Sequence, residues 1–390
     1  MQPSDFSTGK WGRLVRAPEG YWAFVPHPLP PKLKPEWSLA GSLSSADRAL
    51  GELAGAARKL PNPHLLIGPF IRREAVLSSR IEGTQASLSD LFYFEAAASA
   101  APNYRPSSDV LEVANYVRAM EYGLTRLREL PLSVRLLREL HGQLMHGVRG
   151  EQLTPGELRR SQNWIGPPGC TLNEATYIPP PVVEMREALG ELEKFLHAPS
   201  TLPPLIRLAL VHYQFEAIHP FLDGNGRIGR LLITLLLCHE GVLPEPLLYL
   251  SVYFERMRDE YYRHLLGVSQ RGAWRDWIAF FIAGVTEQAR DALWRTGQLQ
   301  NLWDAYRSRL AKARASALPL RLIDELFAAP VITVQRAAEV LGVTPKAARL
   351  NIKKLIDAQI IEEVTGRQRY QVFMAREILR TIEKPRPTTA

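Results

Sequence analysis

Only two cysteines, Cys170 and Cys238, occur in the 390 residues, and they stand far apart. That excludes a scaffold stapled by disulfides. Cys238 falls in the most apolar segment, where a buried structural thiol is expected, and the pair suits a reducing compartment. Long apolar runs are also missing. The longest, Leu231 to Cys238, falls well short of the roughly 20 residues that span a bilayer. Met1 to Tyr21 holds no apolar core of a secretory leader. The expectation is therefore a cytoplasmic chain with no membrane partner. Hydrophobic residues, at 46%, are plentiful enough for ordinary cores in two or three domains, and thirty prolines suit a helical protein with stiff loops. A net charge of +8 and a pI near 9.5 favour polyanionic partners, nucleotide or nucleic acid.

The most specific stretch reads His219-Pro220-Phe221-Leu222-Asp223-Gly224-Asn225-Gly226-Arg227-Ile228-Gly229-Arg230. Glycines on both sides of Asn225 leave several backbone N–H groups free to line one concavity. The almost continuously apolar Ile228 to Glu240 predicts a helix that stops at Gly241 and Pro244. A helix N-terminus behind a Gly-rich turn is an anion site, and Arg227 and Arg230 add positive charge to the same first turn. Phosphate is the expected guest. Asp223 would be repelled there unless a divalent cation came with the phosphates, and Mg²⁺ held by one carboxylate and phosphate oxygens meets that need. His219 is of the type best suited to take a proton from a hydroxyl near pH 7. The set reads as phosphoryl or nucleotidyl transfer. A capped core helix with a polar loop is the plainer alternative, but these eight literal residues should stand together by chance in about one chain in 10⁷ or fewer.

The string resembles the signature of the Fic family, His-Pro-Phe-x-(Asp/Glu)-Gly-Asn-Gly-Arg-x-x-Arg, with every position kept. The chain as a whole is similar to three-part bacterial members with an inhibitory N-terminal segment and a C-terminal winged helix. The resemblance implies a mainly α fold: a Fic helical core with a β-hairpin flap, plus a small α+β winged helix-turn-helix domain. It implies that His219 deprotonates a target hydroxyl and that Asp223 binds Mg²⁺. Gly224, Asn225 and Gly226 would then form the anion hole for the α- and β-phosphates, Arg227 would hold the phosphates during transfer, and Arg230 would fix the γ-phosphate. The family's usual reaction moves AMP from ATP to a Ser, Thr or Tyr hydroxyl on a protein and releases pyrophosphate. The chain itself is among the implied targets, and a homodimer is its implied state. Members that act as kinases carry a lysine inside the loop; Gly226 stands there, so adenylylation is favoured over phosphorylation.

Residues 1 to 40, rich in Pro and aromatics, predict an extended arm with a short strand, and helical spacing starts at Ser45 to Lys59. In Pro69 to Gln85 a helical period puts Ser78 and Glu82 one turn apart on one face, with Gly83 as C-terminal cap. A glutamate in a last turn faces the negative end of the helix dipole, at a cost of up to about 1 kcal/mol, and needs a cation. Arg80, two positions away, shares no face with it. Ser78-x-x-x-Glu82-Gly83 is similar to the family's inhibitory motif, (Ser/Thr)-x-x-x-Glu-(Gly/Asn), whose glutamate pairs with the second arginine of the signature. The resemblance thus implies that Glu82 pairs with Arg230 and represses the enzyme, or, as an alternative, that Glu82 orients water to remove AMP.

Helices are expected at Val110 to Glu121 and Ser133 to His146, after a break at Ala101 to Ser108. The loop from Arg160 through Cys170 to Tyr177-Ile178-Pro179-Pro180-Pro181 corresponds to the family's flap, which holds a target segment by adding a strand. Leu202 to Ile218 predicts an apolar helix in which His212 is a satisfied core histidine. Tyr262 is the expected adenine contact, with core packing as its alternative; Ser269 stands where the family often has a second polar contact. Trp274 to Arg295 predicts a helix that closes the core. Further on, helices at Pro319 to Phe327, Val334 to Leu341 (capped by Thr333) and Thr344 to Ala358, then strands at Ile360 to Val364 and Tyr370 to Phe373, resemble a winged helix-turn-helix. Lys346, Arg349 and Lys353 on its third helix and Arg367 on the wing are the expected DNA contacts, with dimerisation or target docking as the other use of such a domain. The division is 1–105 for the arm and inhibitory region, 106–300 for the catalytic core, 301–317 for a linker helix and 318–380 for the winged domain. A DNA-binding regulator whose Fic core only senses nucleotide is the reading from a different class.

Overall fold

The computed structural model describes residues 1–7, 10–34, 36–59, 64–98, 105–312 and 317–387. Two strands, β1 (Gly12–Arg16) and β2 (Trp22–Pro26), pair antiparallel as a hairpin in the N-terminal arm. Helices follow: α1 (Trp37–Lys59), α2 (His64–Ile81), α3 (Leu88–Ala98), α4 (Ser108–Arg126), α5 (Val134–Leu144), α6 (Val182–His197), α7 (Pro204–Ile218), α8 (Asn225–His239), α9 (Ser251–Arg256), α10 (Arg258–Arg271), α11 (Trp274–Lys312) and α12 (Ala317–Ala328). The chain closes with β3 (Val331–Thr333), α13 (Val334–Leu341), α14 (Pro345–Asp357), β4 (Glu362–Glu363), β5 (Val372–Met374) and α15 (Arg376–Glu383). The fold is mainly α, with the small winged domain at its end.

α8 is the axis of the core. Ile228 through Leu237 are all buried, so the helix is apolar on every side and must be enclosed. α4, α5 and α7 enclose it, and α6 and α11 pack behind α7. Side-chain oxygens of Ser107, Ser133, Thr333 and Thr344 accept the first free amides of α4, α5, α13 and α14. The predicted break before α4 is real at 105–107, while Ala101 to Tyr104 lie outside the described residues. α1 begins eight positions before its predicted start, and α11 runs on through most of the predicted linker to Lys312; 313–316 lie outside the described residues.

The winged domain departs from expectation in three places. Its strands are shorter than predicted, a third strand, β3, completes an antiparallel sheet in the order β3-β5-β4, and α15 extends past residue 380. The domain also does not stand apart. α12 and α15 pack on α2, and β3 and β5 pack on α3. Arg73 of α2 reaches Asp291 of α11 at 3.1 Å, Asp291 pairs with Arg295 at 2.9 Å, and Arg295 Nη1 donates to the carbonyls of Thr381, Ile382 and Lys384 at 2.8, 2.6 and 2.9 Å. No helix among the described residues is long and apolar enough to cross a membrane. Cys238 is half-buried rather than buried, and its thiol is pushed up to about 12 by desolvation.

Candidate active site

The turn between α7 and α8 builds the site. His219 ends α7 in the left-handed region at φ 50°, a backbone state uncommon for a residue with a side chain. Its Nδ1 donates to the Glu216 carbonyl at 3.2 Å, which puts the ring proton on Nδ1 and leaves the Nε2 lone pair open. Burial lowers the imidazole to about 4, so it stands neutral at pH 7 and able to accept a proton.

The loop beyond is locked from within. Gly224, at φ 76°, makes the turn into α8. The Asn225 side chain accepts from the Phe221 amide at 2.9 Å and donates to the Phe221 carbonyl at 2.8 Å, so it is turned back onto the loop. His141 of α5, which sequence reasoning missed, stacks on Phe221 at 3.9 Å, donates from Nε2 to the Asp223 carbonyl at 3.0 Å and accepts the Gly156 amide on Nδ1 at 2.8 Å. Desolvation holds His141 at about 4, neutral, as that pattern requires. The amides of Asn225, Gly226 and Arg227 open α8 and have no carbonyl a turn behind them to accept. They form an open helix N-terminus, whereas the amide of Gly224, expected in the same concavity, is taken by Asp223 Oδ1.

Asp223 accepts the Gly224 amide on Oδ1 at 2.6 Å and keeps 41% of its side chain exposed. Among the described residues no three His, Cys, Asp or Glu gather as a metal cluster. A cation at Asp223 would therefore take its other ligands from phosphate and water, and that fits Mg²⁺.

Both arginines lie on the first turns of α8 and both are buried. Arg227 Nη1 donates to Glu112 of α4 at 3.2 Å, and its Nη2 stands 3.7 Å from Asp223. Glu112, itself buried, is a second residue that periodicity could not single out. Arg230 Nε donates to Ser78 Oγ and its Nη2 to the Ser78 carbonyl, both at 2.9 Å, and Nη2 also meets Glu82 Oε1 at 2.7 Å. Desolvation works against the Arg230 charge, but the Glu82 carboxylate outweighs it and raises the guanidinium above its ordinary range. Conversely, Arg230 overcomes the cost of partial burial and holds Glu82 below the usual carboxylate range. A Cβ at Gly226 would lie 2.4 Å from Glu82 Oε1, so the carboxylate rests directly on the first turn of α8. Within this site Arg227 Nε and Arg230 Nη1 are buried donors that have no partner among the described residues.

Glu216, one turn before His219, is pushed up to about 7 by burial, and its Oε1 has no partner among the described residues. Tyr262 of α10 is 38% exposed, with the Arg258 guanidinium 5.8 Å over its ring, and burial followed by the charge of Glu82 raises its hydroxyl to about 12. It borders the site. Ser269 does not, since it is buried and bonds Tyr213 Oη at 2.9 Å. His212 is a satisfied core residue, bonded to the Gly229 carbonyl at 3.1 Å and to Tyr261 Oη at 2.8 Å. The flap carries one antiparallel bridge, Ile165 with Tyr177, and Phe24 of β2 donates to Ile178, so the N-terminal hairpin backs it. In the winged domain Lys346, Arg349 and Lys353 are exposed on one face of α14, Arg349 donates to Gln371 at 3.0 Å, and Arg367 is exposed on the wing.

The profile described as "Fic/DOC family N-terminal" matches residues 40–125, and the one described as "Fic/DOC family" matches 131–237; the ion pair of Glu82 and Arg230 joins the two matched regions. The chain carries a Fic N-terminal region and a Fic domain. A third profile, "HTH DNA binding domain", matches 318–373 of this Fic protein. The protein adenylyltransferase Fic of Drosophila erecta is 32% identical over 192 residues, which cover 48% of this chain and 35% of that protein. Its counterpart in Drosophila melanogaster is 31% identical over 192 residues with the same coverage, 48% and 35%. The chain thus spans about a third of the length of the curated relatives it matches. A solved structure of a Fic family protein from Desulfovibrio desulfuricans G20 shares the fold, with a TM-score of 0.57 at 18% identity over 89% of this chain and 98% of that one.

Proposed function

We propose that this Fic protein is an Mg²⁺-dependent protein adenylyltransferase held in check by its own Glu82. The observation that carries the reading is a neutral His219 beside an open helix N-terminus that two buried arginines reinforce. A target Ser, Thr or Tyr hydroxyl gives its proton to His219 Nε2 as its oxygen bonds to the α-phosphorus of ATP. The bond from that phosphorus to the bridging oxygen breaks, and pyrophosphate leaves. The amides of 225–227 and Arg227 stabilise charge on the phosphates, and Tyr262 borders the adenine. Mg²⁺ at Asp223, when bound, neutralises the polyphosphate. Glu82 on Arg230 fills the place of the γ-phosphate, so ATP binds in an unproductive pose.

Incubation with α-labelled and, separately, γ-labelled ATP tests this on the unaltered protein, on Glu82→Gly and on Glu82→Gly with His219→Ala. Protein labelled from the α position alone, more strongly in Glu82→Gly and not at all in the double variant, is the expected result. Label from γ would make the protein a kinase, and none in any lane would leave the nucleotide-sensing regulator. Loss of an AMP-removing activity in Glu82→Gly would favour the bifunctional reading. A cytoplasmic homodimer that modifies itself belongs to the same proposal.

Because burial holds His219 at about 4, kcat/KM should stay level from neutral pH down towards pH 5 and fall only as the ring gains its proton near pH 4. An acid limb centred at the ordinary histidine value would contradict this. We also propose DNA contact through α14 and the wing, on the support of the helix-turn-helix match and the exposed face of Lys346, Arg349 and Lys353. Replacing Lys353 by alanine should weaken binding to any duplex alike and lower the salt slope by about one, as read by titration at several salt concentrations.

A further inference from the structure

Arg159 is the buried group for which this mechanism has no use. It stands at the base of the flap, fully buried, and among the described residues it makes no ion pair. Charged side chains are rarely enclosed without a carboxylate, because the desolvation cost is otherwise uncompensated. Here carbonyl oxygens supply the compensation. Nε donates to the His219 carbonyl at 3.0 Å, Nη1 to that of Ser161 at 3.3 Å and Nη2 to that of Pro180, while the Arg159 amide donates to the Pro220 carbonyl at 3.0 Å. Asn163 completes the grip, with Nδ2 donating to the His219 carbonyl at 3.2 Å and to the Phe221 carbonyl at 2.7 Å.

What this grip holds is the strained residue. His219 lies at φ 50° without being glycine, a state that persists only where surrounding contacts determine it. One guanidinium therefore touches the start of the flap at Ser161, its end at Pro180 and the backbone of the base. We infer that Arg159 is a positioning residue for AMP transfer, whose forked guanidinium holds the His219 backbone in its left-handed state and ties that state to the seating of the flap. The inference rests on the reading of His219 as the base.

The test uses the full chain with Glu82→Gly, so that transfer is measurable, and adds Arg159→Met or Arg159→Lys. Lysine keeps the charge and loses the fork; methionine loses both. Both should lower kcat about 10- to 100-fold, the worth of charge-assisted hydrogen bonds, while KM for ATP stays unchanged. The two should differ in pH profile. Of the charged groups that act on His219, Arg159, Glu82 and Asp223, the Glu82→Gly background keeps Arg159 and Asp223, with the Glu216 carboxyl one turn away. Only methionine removes the positive one, so its acid limb should move to higher pH while that of lysine stays. A kcat within about threefold of the parent in both variants, or a fall matched by a rise in KM for ATP, would overturn the inference. If Arg159→Met does not fold, the kcat and KM of Arg159→Lys decide the matter alone. Undiminished transfer in Glu82→Gly with His219→Ala would sink the underlying reading separately, without reference to Arg159.

Discussion

In the Glu82→Gly protein, alanine in place of His219 should lower AMP transfer about 10²- to 10⁴-fold, the usual contribution of a positioned base. The size follows from geometry. The Nδ1 proton is committed to the Glu216 carbonyl, and burial keeps the ring neutral at about 4, so Nε2 is the free acceptor beside the open helix N-terminus. The ring itself makes no hydrogen bond that the loop depends on: the loop is held by Asn225, His141, Arg159 and Asn163 through backbone groups. His219→Ala should therefore keep its ATP affinity and thermal stability while kcat falls. A loss smaller than about threefold would end the assignment of a base.

Glu82→Gly moves the same measurement in the opposite direction, by about 10- to 100-fold, because a charge-assisted pair of this kind contributes about 1.5–3 kcal/mol to the repressed arrangement. Its carboxylate keeps 32% of its side-chain surface exposed while Arg230 is almost wholly enclosed, so solvent weakens the pair only from one side. The arginine does not collapse once Glu82 is gone, since Ser78 still holds it through Oγ and through the carbonyl. That leaves Arg230 in place, with Nη2 keeping the Ser78 carbonyl and losing only Glu82, and with Nη1 already unpartnered. Glu82→Gln should fall between the two, keeping the shape of the side chain and losing its charge. Equal labelling of Glu82→Gly and the unaltered protein would show that the pair restrains nothing.

The central turn was legible because its chemistry is concentrated in consecutive residues, and Ser78 and Glu82 because one helical turn separates them. Arg230 and Glu82 were joined by a family likeness, and nothing local in either segment could have paired them across 148 positions. Glu112, His141, Arg159 and Asn163 went unread for the same physical reason. Each acts through a backbone group or a partner distant in the chain, and each looks locally like an ordinary polar residue of a helix or loop. Glu216 sat inside a helix already read as apolar, and its environment, not its spacing, sets it apart. In the winged domain Thr333 and Thr344 gave the helix starts through their caps, whereas β3 is three residues long and exists only through pairing with β5. Strands that short carry no period to detect.

The packing of the last domain against α2 and α3 bears on how the protein can be dissected. The boundary at 318 follows a change of sequence rhythm, yet the hydrophobic core passes across it without a gap, from Phe70 and Ile71 to Leu326 and Phe327. A chain shortened there would bare the outer face of α2, the helix that ends one residue before Glu82. It would also strip Arg295 of the three carbonyls its Nη1 binds, and with it the anchor of Asp291 and Arg73. Transfer measured on such a fragment would then belong to an α2 with no wall behind it, and the isolated winged piece would carry an apolar scar where α2 had been. Sequence rhythm and cooperative unit part company at this seam.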